Sequence, residues 1–135
     1  KLRKAEDQTA RLLRAIESPA HILAHPRGRI SSTRAGVAAD WDRVFAHAAR
    51  HGVAVELDGD PSRQDLGYDL ARRALAAGCL FALDSDAHGP SQLLFTETAI
   101  AHARLAGIPR DRIVNCWTLS EVQRWLGQMR APRAS

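Results

Sequence analysis

The 135-residue chain is poor in cysteine, methionine and aromatic residues, and each scarcity narrows what it can be. Cys79 and Cys116 stand far apart with no metal-knuckle spacing, which argues against a zinc ribbon. Each borders an apolar stretch, so both are expected to be buried, reduced thiols of a cytoplasmic protein. No apolar run approaches a membrane span, and no signal-peptide pattern opens the chain. Neither G-x-x-x-x-G-K nor G-x-G-x-x-G occurs, which removes the Gly-rich phosphate loops and with them an unrelated small phosphate-binding domain. Internal repeats, low-complexity segments and His-x-His are absent as well. The chain starts at Lys1 inside a helical pattern, and we expect a single domain that is a piece of something longer.

What is present is an ordinary globular composition, 45% hydrophobic, enough for one core. The net charge of +4 suggests a nucleic-acid or phosphate partner, but its placement tempers this. Removing Lys1, Arg3, Lys4, Arg130 and Arg133 at the two ends leaves −1 for the body, so a basic stripe on the folded face is not evident.

The patterning alternates. Residues 2 to 17 place Ala5, Thr9, Leu12, Leu13 and Ile16 on one helical stripe ended by Ser18-Pro19. Residues 20 to 24 form a short strand leading to His25-Pro26-Arg27-Gly28-Arg29. After a polar loop, Asp40 caps a helix carrying Trp41, Val44, Phe45 and Ala48, and Gly52 ends it. Residues 53 to 57 are a second strand. Asp65 is expected to cap the next helix, with Leu66, Leu70, Ala74 and Ala77 on its buried stripe and Gly78 at its close. Leu80 to Leu83 are a third strand, followed by a helix from Pro90 to about Ala106. Residues 113 to 115 read as a fourth strand. Ser120 and Gln123 read as a capping box for a last helix bearing Val122, Trp125, Leu126 and Met129. Strand-helix alternation predicts an α/β fold with a parallel sheet and right-handed crossovers.

Three of the four strand ends carry polar clusters, at residues 25 to 29, 58 to 65 and 84 to 88. Active sites of parallel sheets are built at that end. His25, Asp86 and His88 supply two imidazoles and a carboxylate, a first-row metal set with open positions. Such an ion lowers the pKa of a bound water, which attacks a phosphoester, and neutralises charge developing on the phosphoryl oxygen. Arg29 and Arg63 are placed to hold phosphate oxygens. Plainer readings stand beside these. His25 also suits a structural histidine, and Asp84 and Asp86 suit helix caps or turns. Glu56, inside a buried strand, needs a partner and reads as a supporting or salt-bridged acid. Arg63 also suits a pair with Asp60 or Asp65. His21, His47, His51 and His102 read as surface or core residues, and Trp41, Trp117 and Trp125 as core.

These segments resemble a known family. His-Pro-x-Gly-Arg at 25 to 29, Val-Glu-Leu-Asp at 55 to 58, Pro-Ser-Arg-x-Asp-Leu at 61 to 66, Asp-Ser-Asp-Ala-His at 84 to 88 and Val-Asn at 114 to 115 are similar to the later motifs of the polymerase and histidinol phosphatase (PHP) domain. The variant appended to bacterial family X DNA polymerases is the nearest in pattern, and Thr9 to Pro19 is similar to the helix before its His-Pro-Gly-Arg motif. The resemblance implies that residues 1–135 are the C-terminal portion of a distorted (β/α)7 barrel holding up to three zinc or manganese ions. It implies phosphatase or 3′-5′ exonuclease activity on a phosphoester such as a DNA 3′ end or a nucleotide. By motif, His25, Asp86 and His88 would be metal ligands, Asp86 and His88 the catalytic pair, Arg29 and Arg63 phosphate contacts, and Glu56 and Asp58 supporting acids.

Two features depart from the family pattern. Asp58 stands where the family usually has Asn, which adds negative charge beside Asp60. The family's first half, with its His-x-His element, is not in these residues. The chain by itself is therefore expected to bind metal weakly, to hydrolyse little, and to self-associate or pair with that half through open strand edges. The alternative is a catalytically inactive PHP-like module that supports a DNA polymerase or another partner through protein contacts.

Overall fold

The structure, a computed structural model, describes residues 4–130; Lys1, Arg3 and Arg133 lie outside the described residues, as do the side chains of Met129 and Arg130. Among the described residues, five α-helices and three strands follow in the order α1 (Ala5–Glu17), β1 (Ile22–Leu23), α2 (Trp41–His51), β2 (Ala54–Asp58), α3 (Tyr68–Ala76), β3 (Leu80–Asp84), α4 (Thr96–Ala106) and α5 (Leu119–Arg130). The strands form one parallel sheet in the order β1-β2-β3, so each joins its predecessor through a helical crossover. Helices α1 to α4 pack on one another in chain order.

Helix α2 forms as its pattern dictates. Asp40 accepts the Arg43 N–H at 3.2 Å, Trp41, Val44, Phe45 and Ala48 are buried, and Gly52 ends the helix in the left-handed region at φ 65°. Helix α1 buries Thr9, Leu12 and Ile16. The Thr9 hydroxyl accepts the Asp40 N–H at 2.9 Å, joining α1 to the start of α2. All five residues of β2 are buried, as its apolar run requires.

Four expectations are corrected. The first strand shrinks to Ile22–Leu23, paired only with Ala54 and Val55, because it lies at the sheet margin and the chain turns at His25. Helix α3 begins at Tyr68 after Gly67, not at an Asp65 cap, and Leu66 is buried ahead of it. The Asp65 carboxylate is engaged elsewhere, by the loop after β1. The fourth strand reduces to one parallel bridge, Ile113 to Phe81, followed by a tight turn at Val114–Cys116. In place of a strand, Asn115 offers its side-chain amide to Leu83, accepting its N–H at 2.8 Å and donating to its carbonyl at 2.9 Å. The capping box of α5 is Thr118 with Glu121, two residues earlier than expected: the Glu121 carboxylate accepts the Thr118 N–H at 2.7 Å. Helix α4 is preceded by a 3₁₀ turn at Pro90–Phe95.

Cys79 is buried and bonds the Phe45 carbonyl, whereas Cys116 is exposed, because the turn that replaces the fourth strand leaves it uncovered. Burial pushes the Cys79 thiol up to about 12, so it stays protonated. Trp41 and Trp125 are core residues, and Trp117 is half-buried against Trp125. Among the described residues no helix is long and apolar enough to cross a membrane.

Candidate active site at the strand ends

Strand alternation sends Glu56 and Asp58 to one side of β2 and Val55 and Leu57 to the other. Parallel register sets Asp84 directly beside Asp58 and leaves Ala82 beside Glu56. Three acids thus converge at the carboxyl ends of two central strands. Asp84 then turns the chain: its Oδ1 accepts the Asp86 N–H at 3.2 Å, and Asp86 takes the left-handed conformation at φ 47°, which Asp tolerates. The turn brings a fourth carboxylate back over the group.

Arg63 closes the cluster. Its Nε lies 2.8 Å from Asp86 Oδ2 and 3.6 Å from Asp58 Oδ2. Neither oxygen accepts an aligned hydrogen bond, although both are buried. The guanidinium therefore neutralises the two carboxylates by proximity, without satisfying their lone pairs. The pairing with Asp60 or Asp65 that sequence spacing allowed does not form. Asp58 Oδ1 instead accepts the Asp60 N–H at 2.8 Å, and Asp60 accepts from Ser62. Gly59 between them donates to the Asp84 carbonyl at 2.9 Å, and a Cβ there would overlap the Phe95 carbonyl oxygen. Glycine at 59 is thus required by close backbone approach.

Burial of so many acids shifts their titration. Glu56 is pushed up to about 9, first by burial and then by its hydrogen bond with Asp84. Asp58 is pushed up to about 6 by burial, with Asp86 and Asp84 adding to the rise and the Asp60 N–H and Arg63 opposing it. Asp65, fully buried, is raised by burial against the pull of the Arg29 and Arg27 amides.

The loop after β1 is held by two of these acids. The backbone N–H of His25 donates to Glu56 Oε2. The N–H groups of Arg27 and Arg29 donate to Asp65 Oδ2, at 3.1 and 3.3 Å. The Asp65 carbonyl in turn accepts the Asp58 N–H at 2.7 Å, so one residue fastens the loops after β1 and β2 together. Sequence reasoning missed this role, since a single Asp ahead of a helix reads as a cap. The only signal was its place in the Pro-Ser-Arg-x-Asp-Leu run.

The two histidines lie at the outer rim, and both are exposed. His25 sits at φ 28° at the start of the turn that Gly28 closes. His88 Nδ1 lies 2.6 Å from the Asp86 carbonyl oxygen. A carbonyl only accepts, so Nδ1 carries a proton, and in the neutral ring Nε2 is then the nitrogen with the lone pair, the arrangement usual for a metal-ligating histidine. Arg29 is anchored through its backbone, and its charge is felt by His102 on α4, whose pKa is lowered by burial and then by Arg29. Hence the structure joins Glu56, Asp58, Asp84, Asp86 and Arg63 in one group, with His25 attached through its N–H on Glu56 and His88 two residues beyond Asp86, whereas the charge of Arg29 is felt at His102 on α4. Among the described residues no group of three or more His, Cys, Asp and Glu side chains is gathered as for a metal ion. By charge and donor type the rim suits a divalent cation, because two buried carboxylate oxygens lack hydrogen-bond donors.

A cavity of about 420 Å³ adjoins this rim, between α1 and the loop after β1, with His25, Arg63, Arg11 and Arg34 among its walls. Larger grooves, of about 680 and 850 Å³, lie beside Trp117 and Trp125 and beside Arg43 and Arg50. They contain none of the strand-end residues.

No protein-family model matches this chain. The chain is 30% identical over 105 residues to the DNA polymerase/3'-5' exonuclease PolX of Bacillus subtilis (strain 168), a match that takes in 78% of this chain. The chain spans 18% of that relative's length. The likeness is in keeping with a PHP-type domain of the family X polymerases.

Proposed function

We propose that residues 1–135 are the C-terminal portion of a PHP-type (β/α)7 barrel that works in the cytoplasm as a metal-dependent phosphoesterase, of the phosphatase or 3′-5′ exonuclease type. The observation that carries this reading is the group formed by Glu56, Asp58, Asp84, Asp86 and Arg63 at the carboxyl ends of β2 and β3, in which a buried oxygen of Asp58 and one of Asp86 accept no hydrogen bond and are held only by the charge of Arg63. Sequential strand order with crossover helices packed in chain order supports this reading, since a β/α barrel is wound in that way. The likeness to a polymerase/3'-5' exonuclease supports a DNA-related substrate.

His25, Asp86 and His88, with Asp58 beside them, would hold zinc or manganese. When bound, the ion supplies Lewis-acid stabilisation of phosphoryl charge and an acidified water. The chain's own groups do the rest. Glu56 and Asp65 fix the backbone that presents His25. The Asp86 carbonyl orients His88 through Nδ1. Arg63 and Arg29 bind phosphate oxygens. The open β1 margin is the place for pairing with the rest of a barrel or with a second copy.

The test is equilibrium dialysis of the chain against Mn²⁺ and Zn²⁺, beside Asp86→Ala and His25→Ala, with release of nucleotide from a 3′-labelled oligonucleotide as the second readout. Weak, saturable uptake that both substitutions abolish, with slow hydrolysis that follows uptake, is expected. Absence of uptake at millimolar metal would sink the reading and favour an inactive supporting module.

A further inference from the structure

The cavity beside the rim has a composition that the strand-end chemistry does not explain. Its basic side chains come from three separate segments of the chain: Arg11 on α1, His25 and Arg34 in the loop after β1, and Arg63 in the loop after β2. No carboxylate is among the residues lining it, although the four-carboxylate group lies immediately behind Arg63. Leu12, Leu23 and Val37 supply apolar wall. Arg11 and Arg34 are exposed, and holding like charges around one hollow is unfavourable unless an anion enters it. The volume of about 420 Å³ is within the range of small-ligand sites.

We propose that this cavity is a second phosphate subsite, in which Arg11 and Arg34 hold a non-reacting phosphate of a nucleotide whose base lies on the apolar wall. The inference rests on the phosphoesterase reading and narrows its substrate: the reacting phosphate meets Arg63 at the rim, and its neighbour lies towards α1. The ligand is then a nucleotide with phosphates on both sides, as in a strand end, and it approaches across α1 instead of across α4. A simple phosphate monoester leaves the subsite empty.

Arg63 links the two regions, since it lines the cavity and contacts Asp86 at 2.8 Å. A strand end whose second phosphate is held by Arg11 and Arg34 has its scissile phosphate delivered beside that contact. A free nucleotide monophosphate offers the same chemistry with one phosphate fewer, so the two sources separate by affinity.

The experiment is fluorescence anisotropy of a labelled oligothymidine on the full chain without added metal, over a salt series, with thymidine monophosphate as competitor. Arg11→Ala and Arg34→Ala change exposed side chains and leave the core intact. Each is expected to weaken oligonucleotide binding about 3- to 10-fold and to lower the salt slope by about 0.7, the value for one lost contact to a single strand. Arg124→Ala, on exposed α5, serves as the charge-matched control and is expected to leave both unchanged. Competition by the monophosphate only at far higher concentration supports the subsite when Arg11 and Arg34 govern binding, and competition at equal concentration overturns it, because a single phosphate would then suffice. Equal losses in all three variants, or no binding of either probe, overturns the proposal. Metal uptake by dialysis in that same chain shows separately whether the phosphoesterase reading stands.

Discussion

The Glu56 carboxylate accepts the backbone N–H of His25 while its other side is hydrogen-bonded to Asp84. One buried acid thus spans the ends of all three strands. It is pushed up to about 9, so the folded chain keeps a proton that the unfolded chain releases at about 4.5. Stability must then fall as pH rises between those values, because the unfolded state binds fewer protons there. Glu56→Gln reproduces the protonated acid, accepting from His25 and donating to Asp84. Urea denaturation should show the two proteins alike near pH 4 and the variant more stable by about 1–2 kcal/mol near pH 8. Stability curves that stay parallel across this window would contradict the assignment.

Arg63 occupies the position of a cation between Asp58 and Asp86. A divalent ion entering there must displace it, and a competitor already in place lowers apparent affinity. Arg63→Gln should bind Mn²⁺ about tenfold more tightly by calorimetry near pH 8, the gain expected if the open arrangement is populated about one time in ten. Weaker binding in the variant would mean that Arg63 supports the ion instead of competing with it.

Asp65 joins the loops after β1 and β2 from a fully buried position. Asp65→Asn keeps the shape but removes charge from the bonds to Arg27 and Arg29. A loss of about 1–3 kcal/mol is expected in urea, with faster amide exchange at Arg27 and Arg29 than in the helices. Uniformly faster exchange would assign Asp65 to general stability alone.

Asn115 replaces a strand with one side chain. Asn115→Ala leaves the Leu83 N–H and carbonyl without those partners and should cost about 1–2 kcal/mol. The expected signature is loss of Leu83 amide protection without change at Val55, measured by hydrogen exchange.

Much of this architecture can be read from the residues in order. Helix α2 follows from Asp40, a four-residue apolar stripe and Gly52, all local signals. Strands β2 and β3 follow from short apolar runs that end in acids. What escapes such reading depends on distance through space. Asp65 bonds to amides nearly forty residues away, and nothing near it distinguishes that role from a cap. Arg63 has acids closer in sequence than Asp86, yet Asp60 turns inward to Ser62 and Asp65 to the loop after β1. Arg11 and Arg34 reach one cavity only because α1 lies against the loop after β1. The residues of the rim were therefore legible, and their partnerships were not.

The amide of Asn115 and the bridge from Ile113 finish one side of the sheet, while β1 remains its other margin. The sheet consequently has a direction of growth. A further strand laid down in the same parallel sense finds an open margin beside Ile22 and Leu23, and its last residues then arrive next to His25. Whatever extends this sheet also becomes a wall of the acidic centre.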